Sequence, residues 1–190
     1  STCFEVPLVM QDRKFNPDGT LFYPDLWQDH FFGDKMLVNG KVWPYLDVMQ
    51  GKYRFRMYNG CNSRTLTVTL DRDDMAGPAD MSFLQIGTDG GFVELPVTLN
   101  EITLGSAERA DVIVDFTNVP AGTKVRLVNS APAPWPGNPG VGVIPEVMEF
   151  RVQSGAGHTD TIPAVLLPYE VIDESEAVRT RDFVLNKDPD

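Results

Sequence analysis

Residues 52–70 have the sequence KYRFRMYNGCNSRTLTVTL, and this stretch decides the fold. Apolar side chains occupy every second position on both sides of a polar turn: Tyr53, Phe55, Met57, Leu66, Val68 and Leu70. Successive side chains of a β-strand point to opposite faces, so the alternation predicts two strands that each bury one face. The Asn59-Gly60 pair between them is typical of a turn, because both residues tolerate a positive φ.

Shorter apolar segments lie on both sides of this stretch, separated by many of the 16 glycines and 15 prolines. These segments are predicted strands: residues 4–10, 36–38, 42–48, 83–86, 92–95, 102–104, 111–116, 124–129 and 147–152. No long helical pattern appears, and short strands at such spacings are typical of sandwiches and barrels. The sequence therefore predicts an all-β fold.

The two ends of the chain differ from its middle. We interpret residues 1–34 as an N-terminal strand and connection, 35–153 as the sandwich, and 154–190 as a linker followed by the first strand of a further domain. Residues 154–157 (SGAG) have linker composition. Residues 179–185 alternate again but stand alone, so that strand would need a partner sheet from elsewhere.

Composition and charge exclude several classes of function. At 190 residues, one domain is the natural expectation, and folding would bury roughly 70% of the unfolded surface. A net charge of −11 argues against nucleic acid as the main partner, because that affinity depends on Lys and Arg displacing counterions. No apolar run approaches the ~20 residues of a membrane span.

The chain is poor in metal ligands, with two histidines and two cysteines. A type 1 copper site needs two His and a Cys, and zinc sites need three or four such ligands. His30 and His158 each lack a second histidine at ligand spacing, so we expect both at the surface or a rim. Cys61 is most simply a small buried residue. A Cys3–Cys61 disulfide stays open, since spacing alone does not test its geometry.

Other candidate sites favour structural interpretations. Residues 71–74 (DRDD) resemble the start of a calcium loop but lack its glycine and its bidentate Glu, so a solvated hairpin end is expected. Arg109 is expected to pair with a carboxylate, with anion binding as the less favoured alternative. No nucleophile–base set can be named, which discounts a hydrolase.

Six segments, taken in order, point to a family. They are GDKMLVNGKVWPYL (33–46), YRFRMYNGCNSR (53–64), QIGTDGG (85–91), AERADVIVDF (107–116), NSA (129–131) and VMEFRV (147–152). This ordered set resembles the middle domain of bacterial three-domain multicopper oxidases, and within them the spore-coat laccases and bilirubin oxidases. The resemblance runs from about residue 5 to residue 152.

The resemblance implies a cupredoxin-like Greek-key β-sandwich or barrel without copper ligands, with extended N- and C-terminal linker segments. It further implies a laccase-like parent that oxidises phenols, pigments or metal ions by single electrons and reduces dioxygen to water. In that family the type 1 copper and the trinuclear cluster lie in domains one and three, which would be this chain's partners. The parent would be exported, periplasmic or associated with a spore coat. The isolated chain would hold no cofactor, be inactive, and self-associate through bared apolar surface.

By the same resemblance, two segments border the pocket for the reducing substrate. They contribute His30, Phe31 and Phe32 from the first and Pro134 and Trp135 from the second. Aromatic and proline-rich walls suit planar phenols. The alternative is that Phe32 and Trp135 only cover a domain interface.

A competing hypothesis from a different class is a copper-free β-sandwich that serves as a binding or interaction module. Its stacking platforms would be exposed tryptophans, with Trp27, Trp43 and Trp135 as candidates. Trp43 follows a hairpin and precedes Pro44 within a strand pattern, so we expect it to be buried.

Overall fold

A computed structural model describes residues 4–75 and 81–186 of the chain. Cys3 lies outside these residues. The described residues form twelve strands and one 3-10 turn (Glu174–Glu176). The strands are β1 Glu5–Arg13, β2 Lys35–Val38, β3 Lys41–Val42, β4 Tyr45–Gln50, β5 Lys52–Asn59, β6 Leu66–Arg72, β7 Phe83–Thr88, β8 Gly91–Leu99, β9 Ile102–Leu104, β10 Arg109–Asp115, β11 Lys124–Asn129 and β12 Glu146–Ala156. No helix among the described residues is long and apolar enough to cross a bilayer.

The strands form two sheets packed face to face. One sheet has the order β3-β2-β1-β5-β10-β7-β8 and the other β4-β12-β11-β6-β9. Aromatic rings fill the space between the sheets: the Phe55 and Phe150 centroids lie 4.9 Å apart, and those of Phe116 and Phe150 5.6 Å apart. The predicted all-β sandwich is confirmed.

The alternation in residues 52–70 places its apolar face as expected. The six apolar residues are all buried: Tyr53, Phe55, Met57, Leu66, Val68 and Leu70. Every segment predicted as a strand within residues 4–152 overlaps a strand of the structure, and the predictions for β9 and β11 match its bounds. Several other strands extend one to four residues beyond their predicted ends, because backbone hydrogen bonding continues past the apolar pattern.

The prediction for Trp43 was wrong, and so was a continuous strand over residues 42–48. β3 ends at Val42 and β4 begins at Tyr45. Between them Trp43 adopts a φ of +43° and is 47% exposed, with Lys35 Nζ 5.5 Å from its ring centroid. Pro44 has no N–H to donate to a neighbouring strand, and the positive φ of Trp43 breaks the pleat that would have turned its side chain inward.

The chain enters and leaves the sandwich at the same end. The Arg54 N–H donates to the carbonyl of Phe4 (2.7 Å), and the Lys52 N–H donates to the carbonyl of His158 (2.7 Å). The rings of Phe4 and His158 lie 5.7 Å apart. The first residues of β1 are therefore adjacent to the residues that follow β12.

The segment after His158 forms little regular structure. The Leu166 N–H donates to the Glu94 carbonyl on edge strand β8 (2.8 Å). Residues 179–185 form no strand in this chain, and Phe183, Val184 and Leu185 are at least 77% exposed. A single alternating segment has no partner here for its backbone groups, so its pairing with a following domain stays a prediction.

The aromatic core gives a stability prediction. Phe150→Ala should lower the free energy of unfolding by about 3–5 kcal/mol, because it opens a cavity between the two sheets. Phe183→Ala removes the same atoms from a side chain that is 84% exposed, so the free energy of unfolding should change by less than about 0.5 kcal/mol. Urea unfolding of both variants measures this, and equal effects would contradict the packing described.

Candidate functional site

A cleft of about 350 Å³ opens at the end of the sandwich remote from Phe4 and His158. We call it the rim cleft. Its lining residues are Phe32, Gly33, Asp34, Arg64, Ala133, Gly142, Val143 and Ile144. β1 and β5 run parallel from the end where the chain enters, so the residues that follow them meet at the opposite end. The connection before β2 and the loop after β11 form its two sides.

The two sides of the rim cleft are joined by the side chain of Arg64, which is 2% exposed. Its Nη2 donates to the Gly33 carbonyl (3.1 Å) on one side, and its Nη1 donates to the Gly142 carbonyl (2.6 Å) on the other. Its Nε donates to Asp12 Oδ2 (3.0 Å) on β1. One planar guanidinium therefore connects three chain segments.

Asp12 on β1 accepts hydrogen bonds from both Arg64 and Gly33. Its Oδ2 also accepts a hydrogen bond from the Gly33 N–H (2.7 Å), and the side chain is fully buried. Its Oδ1 is buried with no hydrogen-bond partner in the structure. Removing one partner of such a pair leaves a buried, uncompensated charge, which makes the pair costly to break.

Asn59 fixes the loop that carries Arg64. Its Nδ2 donates to the carbonyls of Arg64 (2.8 Å) and Leu104 (2.9 Å), and its Oδ1 accepts from the Cys61 N–H (3.0 Å). A buried amide that bonds in this way holds the irregular backbone between β5 and β6 in one conformation.

Of the three residues predicted from the first segment, Phe32 lines the rim cleft, whereas His30 and Phe31 do not. Phe32 lines the cleft, its ring 5.5 Å from the Arg64 guanidinium carbon and 5.8 Å from the His30 ring. The Phe31 N–H donates to Ser63 Oγ (3.2 Å). His30 is exposed.

Pro134 and Trp135 lie in the loop on the other side. The loop folds back on itself: the Ala133 N–H donates to the Val141 carbonyl (3.0 Å), and the Gly137 N–H to the Pro134 carbonyl (2.8 Å). Ala133 lines the cleft, whereas Trp135 is half exposed and is not among the lining residues. The structure thus brings the two predicted segments together through Phe32 and Ala133.

Two glycines allow close backbone contacts within the walls of the cleft, Gly33 against Arg13 and Gly142 against Ala133. A Cβ on Gly33 would lie 2.3 Å from the Arg13 backbone nitrogen. Gly142 has a φ of +63°, and a Cβ there would lie 2.6 Å from the Ala133 carbonyl oxygen. Neither position accepts a side chain without a shift of the backbone.

Cys61 lies beneath the cleft as a buried, free thiol. Its Sγ accepts a hydrogen bond from the Asp12 N–H (3.3 Å). Burial, and then the negative charge of Asp12, raise the pKa of the thiol to about 12. Cys61 is therefore an inert packing residue at neutral pH.

The His and Cys side chains among the described residues do not fit a copper site. His30 lies beside Phe32, His158 lies beside Phe4 at the opposite end, and burial raises the pKa of the Cys61 thiol. Within residues 4–75 and 81–186, no three His, Cys, Asp or Glu side chains converge as metal ligands. Copper bound by imidazole and thiolate needs those groups together.

The structural interpretation of Arg109 is confirmed, because its Nη1 pairs with Asp89 Oδ1 (3.2 Å). The hairpin expected at residues 71–74 was wrong: β6 and β7, which flank this segment, lie in different sheets. In the acidic turn, Asp73 Oδ1 accepts from the Lys124 N–H (2.9 Å). A hydrogen bond from Arg72 lowers the pKa of Asp74. Asp73 and Asp74 therefore bond to neighbouring groups of the protein, Asp73 at the start of β11 and Asp74 with Arg72.

A second groove, of about 400 Å³, lies on the outer face of the five-stranded sheet. Trp43 and Tyr45 form one wall, and the Arg151 guanidinium stacks 3.6 Å from the Tyr45 ring centroid. Arg126 in the same groove pairs with Asp71. Trp27, the third tryptophan platform proposed from the sequence, is 79% exposed but does not line this groove.

Sequence reasoning missed Asp12, Arg64 and Gly142 as members of the site. Asp12 and Arg64 both fall in polar segments that the sequence pattern assigns to solvent, and 52 positions separate them. The available signal was that both residues lie in the stretch, from about residue 5 to residue 152, over which the sequence resembles the family, with Arg64 ending the segment 53–64.

Comparisons with known proteins agree on one kind of relative. No family model matches the chain. It is 40% identical to a laccase of Bacillus subtilis over 169 residues, which is 83% of this chain and 31% of that protein. It is 36% identical to multicopper oxidase LPR1 of Arabidopsis thaliana over 201 residues, 97% of this chain and 33% of that protein.

The solved structures that resemble the chain are also multicopper oxidases. The McoA multicopper oxidase of Aquifex aeolicus superposes with a TM-score of 0.80 at 34% identity, over 92% of this chain and 37% of that one. The predicted cupredoxin-like β-sandwich is confirmed by this match and by the two-sheet topology. The chain spans about a third of the length of the curated relatives it matches.

The buried ion pair gives a stability prediction. Asp12→Asn should lower the free energy of unfolding by about 3–5 kcal/mol, because Arg64 then stays buried without a counter-charge. Asp89→Asn, which breaks a half-exposed pair with Arg109, should cost less than about 1 kcal/mol. Chemical unfolding at neutral pH measures both, and a small effect of Asp12→Asn would refute the role assigned to the pair.

The Cys61 pKa predicts how stability changes at high pH. In the unfolded chain the thiol ionises near its ordinary value of 9.0, whereas in the folded chain it stays protonated to about 12. The folded state then binds more protons, so its stability falls as pH rises from 9 toward 12. The difference in free energy of unfolding between wild type and Cys61→Ala should be constant below pH 9 and shrink above it; a flat difference would contradict the buried thiol.

Proposed function

The chain belongs to the multicopper oxidase family, and from that premise we propose that it is the copper-free middle domain of a three-domain, laccase-like enzyme. The parent would oxidise phenolic, pigment or metal-ion substrates by single electrons and reduce dioxygen to water. This chain would hold the copper-bearing domains one and three in position and supply one wall of the reducing-substrate pocket.

The rim cleft is the observation that supports this proposal most directly. Two segments that are far apart in sequence, around Phe32 and Ala133, lie side by side at one end of the sandwich. The resemblance assigned these same two segments to the substrate pocket. Phe32 offers an apolar ring face for stacking a planar substrate, and Asp34 places a carboxylate at the mouth of the cleft. That carboxylate can accept a phenolic O–H.

The positions of the chain ends support the scaffold role. Phe4 and His158 are in contact, so segments that precede and follow the sandwich start from adjacent points. Flanking domains attached there can pack against each other as well as against this one. The exposed apolar residues of the C-terminal segment, Val178, Phe183, Val184 and Leu185 among them, would then be covered by the following domain. The domain then runs from about residue 4 to residue 158 rather than over the expected 35–153, because β1 pairs with β2 and β5 within the seven-stranded sheet.

Copper chemistry in the proposed enzyme would take place outside this chain, since its own donor set does not fit the metal. The residues described here act on the substrate side. They bind the aromatic ring, orient it against the Phe32 face and limit the space between the two loops. No electron-transfer step is assigned to any of them.

One observation favours a second candidate function, a binding or interaction module. Trp43 is half exposed beside a groove lined by aromatic and charged side chains, contrary to the burial expected for it. Aromatic side chains in open grooves can stack on sugar rings or on partner side chains. Glycan binding by the chain, lost in Trp43→Ala, together with a gene that encodes no flanking copper domains, would favour this function over the first.

The proposed function is tested by the parent gene and by metal analysis. The reading frame should encode a His-x-His motif before residue 1 and a His-Cys-His motif after residue 190. The parent protein should contain copper and consume dioxygen with a phenol, whereas the 190-residue chain should contain no stoichiometric copper and consume none. Absence of either motif, or about one tightly bound copper in the isolated chain, would overturn the assignment.

A further inference from the structure

We infer that Arg64 is the positioning residue that sets the width of the rim cleft and thereby the size of the reducing substrate that the parent accepts. This inference rests on the proposed function. Arg64 does not contact substrate through an exposed group, since its side chain is 2% exposed. It acts through the two loops that it holds.

The geometry leaves Arg64 as the direct bridge between those loops. Its guanidinium donates to Gly33 on one side and Gly142 on the other, while Asp12 fixes its orientation. Both acceptors are backbone carbonyls, so the bridge sets the position of the main chain itself. A change in the length or shape of this one side chain moves both walls.

Lysine cannot replace this bridge. An ammonium group preserves the charge beside Asp12, but it is a compact point charge on a flexible stem. It lacks the planar fork that reaches three acceptors in three directions at once. Arg64→Lys therefore keeps the buried ion pair with Asp12 but loses the hydrogen bond to at least one wall of the rim cleft, at Gly33 or at Gly142.

The second wall can also be disturbed alone. At Gly142, a φ of +63° and the nearby Ala133 carbonyl oxygen leave no room for a Cβ. Gly142→Ala therefore shifts the loop after β11 while the Asp12–Arg64 pair remains. This variant separates cleft width from the stability of the ion pair.

Substrate size gives a readout that a merely structural role would not move. A planar phenol held between Phe32 and the Ala133 loop depends on the distance between the two walls, whereas a ferrous ion does not. A loss of folded enzyme would lower turnover of both substrates together. A wider cleft would raise KM for the phenol alone.

The experiment uses the full-length parent with Arg64→Lys, Gly142→Ala and, as a matched control, Arg126→Lys, whose ion pair with Asp71 lies in the other groove. KM and kcat are measured for 2,6-dimethoxyphenol and for Fe²⁺. Amide hydrogen exchange is measured at Gly33 and Ala133, whose N–H groups are bonded within the two walls.

Arg64→Lys and Gly142→Ala should each raise KM for the phenol about tenfold, with kcat and the Fe²⁺ KM within about twofold of wild type. Exchange should accelerate at both amides in Arg64→Lys, only at Ala133 in Gly142→Ala, and at neither in Arg126→Lys.

Two results would overturn this inference and leave the proposed function standing. They are an unchanged phenol KM in an active parent and unchanged amide hydrogen exchange in Arg64→Lys. A wild-type parent that oxidises neither substrate would overturn the proposed function as well.

Discussion

The ion pair between Asp12 and Arg64 is the constraint on which the organised end of this sandwich depends. Both side chains are almost fully buried, so water cannot substitute for any bond they lose. The pair carries a large desolvation cost, and the surrounding bonds to Gly33 and Gly142 offset it. Such an arrangement contributes little net stability relative to an apolar core, but it fixes one geometry for loops that have no sheet to hold them.

That geometry divides the sandwich into two functional ends. At one end Phe4 and His158 meet where the chain enters and leaves, which suits attachment to neighbouring domains. At the other end the rim cleft presents an aromatic face and a carboxylate. The proposed role, positioning redox centres and lining a substrate pocket, uses both ends. The outer face of the five-stranded sheet, with its exposed Trp43, contributes nothing to the proposed substrate pocket.

The sequence predicted the strands well and the site only in part. Period-two alternation directly reports burial, which is why Tyr53, Phe55 and Met57 were placed correctly. The burial predicted for Trp43 was wrong because its positive φ is a backbone property that no apolar sequence pattern encodes. Arg64 and Asp12 were missed because a buried charge looks like a surface charge in sequence, and their pairing depends on the parallel registry of β1 with β5. The two wall segments came from family resemblance, since nothing in their composition shows that they meet.

The central claim is that the rim cleft forms part of the reducing-substrate pocket. The most direct measurement is a structure of the parent enzyme with a phenolic substrate bound. The account predicts electron density for the phenol ring against Phe32, between the connection before β2 and the loop after β11. A phenol bound elsewhere, with the cleft covered by a neighbouring domain, would contradict it.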